Sequence, residues 1–340
     1  MSAEKSVKDP ELLIQHSPLL RQNMTTRQAM MDVILSLIPV TLAALWFFGI
    51  GALLVISASI MGAVLTEVYF SSEERKGKTL LDGSGLLTGL LLGLTLPPGL
   101  PIWMAFLGGV VGIGLGKVIW GGLGNNLFNP ALVGRAFLLA TFPTAMTTWS
   151  SPVGPEKFFS LYPSTLALPF MQGEVDGLSA ATPLGLMKFE QTLTAWSSLM
   201  FGSTAGSLGE TSGLLLLLGG IYLWLRRDLD WRIPFSIFLA TIVFSSALKF
   251  YDPVIYPDPV FTLFSGGLLL GAIYMATDPV TSPITPKGAW IFGLSIGFLV
   301  VLIRVYGGLP EGVMYAILLM NAATPLIDRF TQPRVFGHEK

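Results

Sequence analysis

No cysteine occurs anywhere in the 340-residue chain, and histidine occurs only at His16 and His338. The first absence removes disulfides, thiol catalysis and iron–sulfur clusters held by thiolates. The second excludes a haem held between two histidines in an apolar core, because both lie near the ends of the chain, and it leaves poor material for a zinc site. Charge is scarce as well. Lys, Arg, Asp and Glu supply 12% of the residues, about half the share usual in a soluble domain. The formal net charge is −1, so no basic surface points to nucleic acid. A nicotinamide-binding fingerprint is also missing. If such a chain handles electrons, an organic cofactor must carry them.

What is abundant is apolar sequence. Hydrophobic residues make up 52% of the chain, and its 38 glycines suit close packing of helices in lipid. A crossing needs about 20 apolar residues. The run from Val33 to Thr66 is too long for one helix and divides at Gly49-Ile50-Gly51, giving Met30–Phe48 and Ala52–Phe70, closed by the charged segment Ser71–Thr79. Then follow Gly83–Leu96, ended by Pro97-Pro98, then Ile102–Ile119 and Leu127–Phe142. After a more polar stretch come Ser212–Leu225, Pro234–Leu248, Val260–Ala276, Ala289–Ile303 and Val313–Ile327. The expectation is an all-α integral membrane protein of about ten transmembrane helices; Gly83–Leu96 is short for a crossing and reads as broken or tilted.

Residues 1–28 are polar and mixed in charge, a cytosolic tail and not a cleavable signal. Ten crossings starting inside place 16 of the 20 Lys and Arg residues on the cytosolic side, Lys117, Arg135 and Arg329 among them. Only Lys157, Lys188, Lys249 and Arg304 fall outside, a strong positive-inside bias. The expected organisation is tail 1–28, membrane repeat 29–142, exoplasmic segment 143–208, membrane repeat 209–328 and cytosolic tail 329–340, with both termini inside.

The halves echo each other. Gly89-Leu-Leu-Leu-Gly93 matches Gly267-Leu-Leu-Leu-Gly271, each running into a polar, proline-rich break, Thr95-Leu-Pro-Pro98 or Thr277-Asp-Pro279. Asn129-Pro130 with Arg135 is echoed by Thr324-Pro325 with Arg329. Five helices per repeat would make the repeats inverted, an arrangement that builds sites near the bilayer midplane from interrupted helices.

Among polar residues in or near the membrane, Glu67 and Lys117 read as snorkelling groups, and Arg135 and Arg329 as cations obeying the inside rule. Asp82 and Asp278 flank the two interrupted segments, as helix caps or as contacts on an ion path. Asn125, Asn126 and Asn129 beside Pro130 read as structural ahead of ion-conducting, since backbone freed at a helix start must line a cavity or the protein interior. The segment Asp176-Gly-Leu-Ser179-Ala180-Ala181-Thr182-Pro183-Leu184 surrounds one threonine hydroxyl with small residues. Spacing alone makes it a turn before a short helix.

That segment resembles the flavinylation motif of membrane proteins that carry FMN as a threonine phosphoester. Four other stretches are similar to the same family: Asp82-Gly-Ser-Gly-Leu-Leu-Thr-Gly89, Leu94-Thr-Leu-Pro-Pro98, Asn126-Leu-Phe-Asn-Pro-Ala131 with Arg135, and Ala276-Thr-Asp-Pro-Val-Thr-Ser-Pro283. The family is that of the D subunit of the Rnf-type ion-translocating ferredoxin:NAD oxidoreductase, related to the B subunit of the sodium-translocating NADH:quinone reductase. The length and short leading tail suit the former. The resemblance implies covalent FMN on Thr182, with Asp176 and Ser179 in the attachment motif, a flavin transferase working on the outer side, and a urea-transporter-like fold of inverted repeats. Ala180 departs from the pattern, where glycine is commoner. It also implies a noncovalent riboflavin, which no motif here locates, and partner subunits including an iron–sulfur protein and a second covalent-FMN protein. Location in a bacterial inner membrane follows, with coupling to Na⁺ or H⁺. Phe158, Phe159, Tyr162, Phe170 and Trp196 lie near the motif but read first as interfacial anchors. Inverted repeats with Gly/Pro breaks also fit a small-solute channel or transporter, and a pure scaffold would carry neither flavin nor flux.

Overall fold

The computed structural model describes residues 25–71, 82–155, 158–169, 171, 180–210, 212–253 and 255–332. Among them every regular element is helical. Four helices are long and apolar enough to cross a membrane: α1 (Thr26–Phe48), α2 (Ile50–Phe70), α10 (Arg232–Tyr251) and α13 (Pro286–Tyr306). Shorter apolar helices accompany them: α3 (Ser84–Leu94), α4 (Ile102–Ile113, prolonged by a wide turn to Val118), α5 (Pro130–Thr141) and α9 (Gly213–Arg226). α14 (Val313–Thr331) closes the described chain. Between α5 and α9 lie the short helices α6 (Pro143–Thr147), α7 (Pro183–Gly185, continuing as a wide turn to Glu190) and α8 (Trp196–Phe201). Between α10 and α13 the chain forms α11 (Pro259–Phe264) and α12 (Leu268–Leu270, continuing to Met275). This is an all-helical membrane protein.

The break between α1 and α2 falls where the sequence puts it, at Gly49, whose φ of 66° is one that glycine adopts freely. A Cβ there would lie 2.5 Å from the Phe158 carbonyl oxygen, which accepts from the Ile50 amide. Glycine seams set the helix packing. Gly62 of α2 meets the Phe106 carbonyl of α4, and Gly109 of α4 meets Ser59 and Ala63 of α2, while Glu67 pairs with Lys117 further along. The order of these contacts makes α2 and α4 run in the same direction. In the second half, Gly293 lies on Ile233 and Ser236, and Gly297 on Ile237 and Ala240, so α10 and α13 are parallel too. α3 runs against α2, with Gly85 beside Glu67, Gly89 beside Ile60 and Gly93 beside Ile56.

α3 has 11 residues, about 16 Å at 1.5 Å per residue, and so falls short of a crossing. The chain past it, 95–101, is not helical, because Pro97, Pro98 and Pro101 supply no amide hydrogens. Carbonyls freed by such a break must be met from elsewhere in the protein. Leu96 O accepts from Leu208 N at 3.1 Å, and Gly99 O accepts from Ser164 Oγ at 2.6 Å. The connection after α5 therefore supplies the donors that this break needs. The second interruption falls at residues 265–267, between α11 and α12. The matched Leu/Gly motifs pack differently, however: Gly89 and Gly93 abut α2, whereas Gly271 abuts Val313 and Ile317 of α14.

Candidate functional site

Thr182 is the N-cap of α7. Its φ of −70° and ψ of 155° are extended, Pro183 opens the helix, and its Oγ1 accepts from Gly185 N at 3.1 Å. The chain before it is held by Ala180 N, which donates to Trp149 O at 2.8 Å. The turn that spacing suggests is therefore present. Thr182 is buried, yet it lines a cavity of about 450 Å³ whose walls come from both halves of the chain. Thr95, Leu132, Arg135 and Leu139 contribute from the first half, and Gly267, Leu270, Met275, Arg304, Glu311 and Tyr315 from the second. Asp176 and Ser179 lie outside the described residues.

The cavity combines apolar walls with buried charge. Arg135 forms an ion pair with Glu311. Arg304, 8% exposed, donates from Nη1 to Thr262 O at 2.6 Å and from Nη2 to Ser265 O at 2.9 Å, meeting the carbonyls left free at the second break. Lys188, which follows Thr182 in the same short helical segment, donates to the carbonyls of Arg304, Gly307 and Leu309 where α13 ends. Burial holds its ammonium below the usual lysine value. Glu210, just before α9, has Oε1 shut off from solvent without a partner among the described residues. Burial, and then the Glu311 carboxylate, push its carboxyl up to about 7.

Several sequence expectations need correction. Arg135 faces the same cavity as Thr182 and does not emerge with the cytosolic cations, because Glu311 draws it into the protein. Glu67 and Lys117 do not snorkel: they are 6% and 4% exposed and pair with each other, and Lys117 Nζ also donates to Ser84 Oγ at 2.6 Å. Packing of α2, α3 and α4 brings the two charges together. Of the aromatic residues expected near the motif, Phe158, Phe159, Tyr162 and Trp196 do not line the cavity: Phe158 and Phe159 meet edge to face, and Tyr162 lies against Gly51. Its aromatic walls are Trp149, Phe189 and Tyr315. Phe170 lies outside the described residues.

A second cavity, of about 100 Å³, is lined by Ser84, Lys117, Asn126, Asn129, Tyr274 and Asp278. Asn129 caps α5 through Ala131 N and Leu132 N and donates from Nδ2 to Met275 O at 3.1 Å, so it is the structural group expected of it. Asp82 accepts from Ser84 N at 2.9 Å, and Asp278 accepts from Val280 N at 3.2 Å, each holding its own turn. Of these two acids Asp278 reaches this cavity and Asp82 does not.

Sequence reasoning passed over Arg304, Lys188, Glu311 and Glu210 as site residues. Two of them carried a signal: Lys188 and Arg304 are among four cations breaking the positive-inside pattern, and such an exception calls for a reason.

A buried threonine and two arginines share one internal cavity, framed by interrupted helices, in an all-helical membrane protein. The chain belongs to the NQR2, RnfD, RnfE family, whose model matches residues 13–337. It is 41% identical over 345 residues to the D subunit of the "Proton-translocating ferredoxin:NAD(+) oxidoreductase complex" of Clostridium ljungdahlii, covering 98% of this chain and 99% of that one. It is 39% identical over 333 residues to the D subunit of the "Na(+)-translocating ferredoxin:NAD(+) oxidoreductase complex" of Acetobacterium woodii, covering 97% and 96%. The D subunit of the "Ion-translocating oxidoreductase complex" of Stutzerimonas stutzeri is 43% identical over 325 residues, 91% of each chain.

Proposed function

We propose that this protein is the D subunit of a ferredoxin:NAD oxidoreductase complex that moves Na⁺ or H⁺, and that it carries FMN as a phosphoester on Thr182 Oγ1. The observation that carries this reading is the position of Thr182, a buried residue in the wall of a cavity of about 450 Å³ with room for a large substituent. That volume lies within the range of about 300–1,000 Å³ usual for small-molecule sites. When bound, the flavin exchanges one or two electrons and so links nicotinamide chemistry to one-electron carriers. The protein's residues hold and tune it. Trp149, Phe189 and Tyr315 give the cavity aromatic walls suited to a planar ring, and Arg135 and Arg304 supply positive charge. Asp176 and Ser179 complete the attachment motif for a flavin transferase.

With no cysteine and no nicotinamide fingerprint, this chain relies on partners for iron–sulfur clusters and NAD, among them a second covalent-FMN protein. Ten crossings with both termini cytoplasmic and residues 143–208 periplasmic remain our reading, in a bacterial inner membrane. The parallel seams of α2 with α4 and α10 with α13 support two inverted repeats. The noncovalent riboflavin and an ion path past Asp82 and Asp278 belong to the same proposal. Because relatives of almost equal identity are named for H⁺ and for Na⁺, the coupling ion does not transfer from either.

The test is direct. Protein from cells that make the flavin transferase is denatured, run on a gel and viewed under ultraviolet light. A fluorescent band that Thr182→Ala darkens is the expected result. A dark wild-type band rejects covalent FMN and, with solute flux in vesicles, favours a channel; fluorescence surviving Thr182→Ala moves the attachment elsewhere.

A further inference from the structure

Arg135 and Arg304 line the cavity with Thr182, Lys188 follows it in the chain, and the donors of the three are used differently. Lys188 directs its ammonium to three backbone carbonyls at the end of α13. Arg135 is committed to Glu311. Arg304 spends Nη1 and Nη2 on Thr262 O and Ser265 O, but its Nε is buried without a partner among the described residues. No carboxylate among those residues forms an ion pair with this guanidinium. A buried charge so placed is costly unless an anion joins it, and guanidinium donors suit phosphate oxygens.

Geometry brings the guanidinium to the segment that follows Thr182. A Cβ built on Gly266 would lie 2.6 Å from Leu184 Cδ1 and 3.4 Å from Arg304 Nη2, so the residue two places after Thr182 and the guanidinium flank the same glycine. Gly266 has a φ of 64°, which turns the chain there and leaves the gap open. Both Thr182 and Arg304 line the large cavity. The nearby acids Glu311 and Glu210 offer little competition, Glu311 being paired with Arg135 and Glu210 holding its proton up to about 7.

We propose that Arg304 is the binding residue for the phosphodiester that joins the flavin to Thr182, its guanidinium lining the same cavity and supplying the counter-charge to a non-bridging phosphate oxygen. A phosphodiester carries one negative charge, which matches the single positive charge of this guanidinium. This rests on the covalent-FMN reading and adds to it a named counter-charge. It gives Arg304 two tasks: its Nη1 and Nη2 donors close the break between α11 and α12, and its charge secures the cofactor.

The experiment uses the full-length, flavin-loaded protein in detergent. Native wild-type, Arg304→Lys and Arg304→Gln proteins are treated with a phosphodiesterase, and release of flavin from the band is followed. Arg304→Gln is expected to lose flavin at least tenfold faster than wild type, and Arg304→Lys at an intermediate rate. Equal rates in the three loaded proteins overturn the proposal. Should Arg304→Gln fail to fold, Thr182→Ala decides. With ¹⁵N-arginine labelling, the side-chain N–H signal absent from Arg304→Lys is expected to shift and to exchange faster with solvent in Thr182→Ala; an unmoved signal overturns the proposal. A dark wild-type band is a different outcome, since it rejects the flavin on Thr182 itself.

Discussion

Lys188 Nζ donates to the backbone carbonyl of Arg304 at 3.0 Å, and the same ammonium reaches the carbonyls of Gly307 and Leu309. The short helix that starts at Thr182 is thereby fastened to the end of the helix whose arginine enters the cavity. The last carbonyls of a helix have no partner within it, and a lysine there also meets the negative end of the helix dipole. Lys188→Met is expected to leave those carbonyls unmet, to cost about 1–3 kcal/mol and to lower the melting temperature. It should also reduce covalent flavin severalfold by loosening the motif helix. Thermal unfolding and in-gel flavin fluorescence check both effects, and Lys188→Arg should recover part of each.

Glu67 and Lys117 form a pair whose side chains are 8% and 5% exposed. Removing one partner leaves a charge buried among apolar helices. Glu67→Gln is expected to cost about 3–5 kcal/mol, whereas the double substitution Glu67→Gln with Lys117→Met should cost less than either single one. Chemical unfolding of the purified protein measures all three. A double variant no more stable than the singles would show that the pair does more than neutralise itself.

A third prediction concerns the seams. A Cβ at Gly109 would lie 2.3 Å from Ser59 O, and one at Gly297 would lie 2.5 Å from Ile237 O. Neither backbone oxygen can move without shifting a helix. Gly109→Ala and Gly297→Ala are each expected to destabilise by about 1–3 kcal/mol through overpacking, while Gly114→Ala, with open space around its Cβ, should be close to neutral. The yield of monodisperse protein and its melting temperature test the contrast.

Glu210 gives a pH dependence. Its folded-state value lies at about 7, above the 4.5 of a free glutamate, so between those values the folded protein holds a proton that the unfolded chain has released. Its contribution to stability is fully present below about 4.5 and is lost as pH rises through about 7. Melting temperatures recorded across this window should fall with rising pH in the wild type and fall less in Glu210→Gln. An unchanged slope in the variant would assign the pH effect to another group.

Much of the helical frame is legible in the residues themselves. The division at Gly49, the start of α4 after Pro101 and the ending of α3 before Pro97 all follow from residues that act locally: glycine by its φ, proline by its missing amide. Asn129 beside Pro130 likewise announces a helix start needing internal partners. The site is legible only at Thr182, through a motif. Arg304, Glu210 and Glu311 come from three separate stretches, and no spacing along the chain relates them.

Sequence alone determined that this chain is apolar, helical and poor in charge, which places it in a membrane; it also determined where proline and glycine interrupt its helices. Only tertiary structure decided what each rare charge does. A charge within a membrane helix has no favourable solvent along most of its length, so its partner is whichever group the packed neighbours present. For Glu67 that group is Lys117, 50 residues away, and for Arg135 it is Glu311, 176 residues away. Neither distance follows from helical periodicity, because each pairing depends on which helices lie side by side.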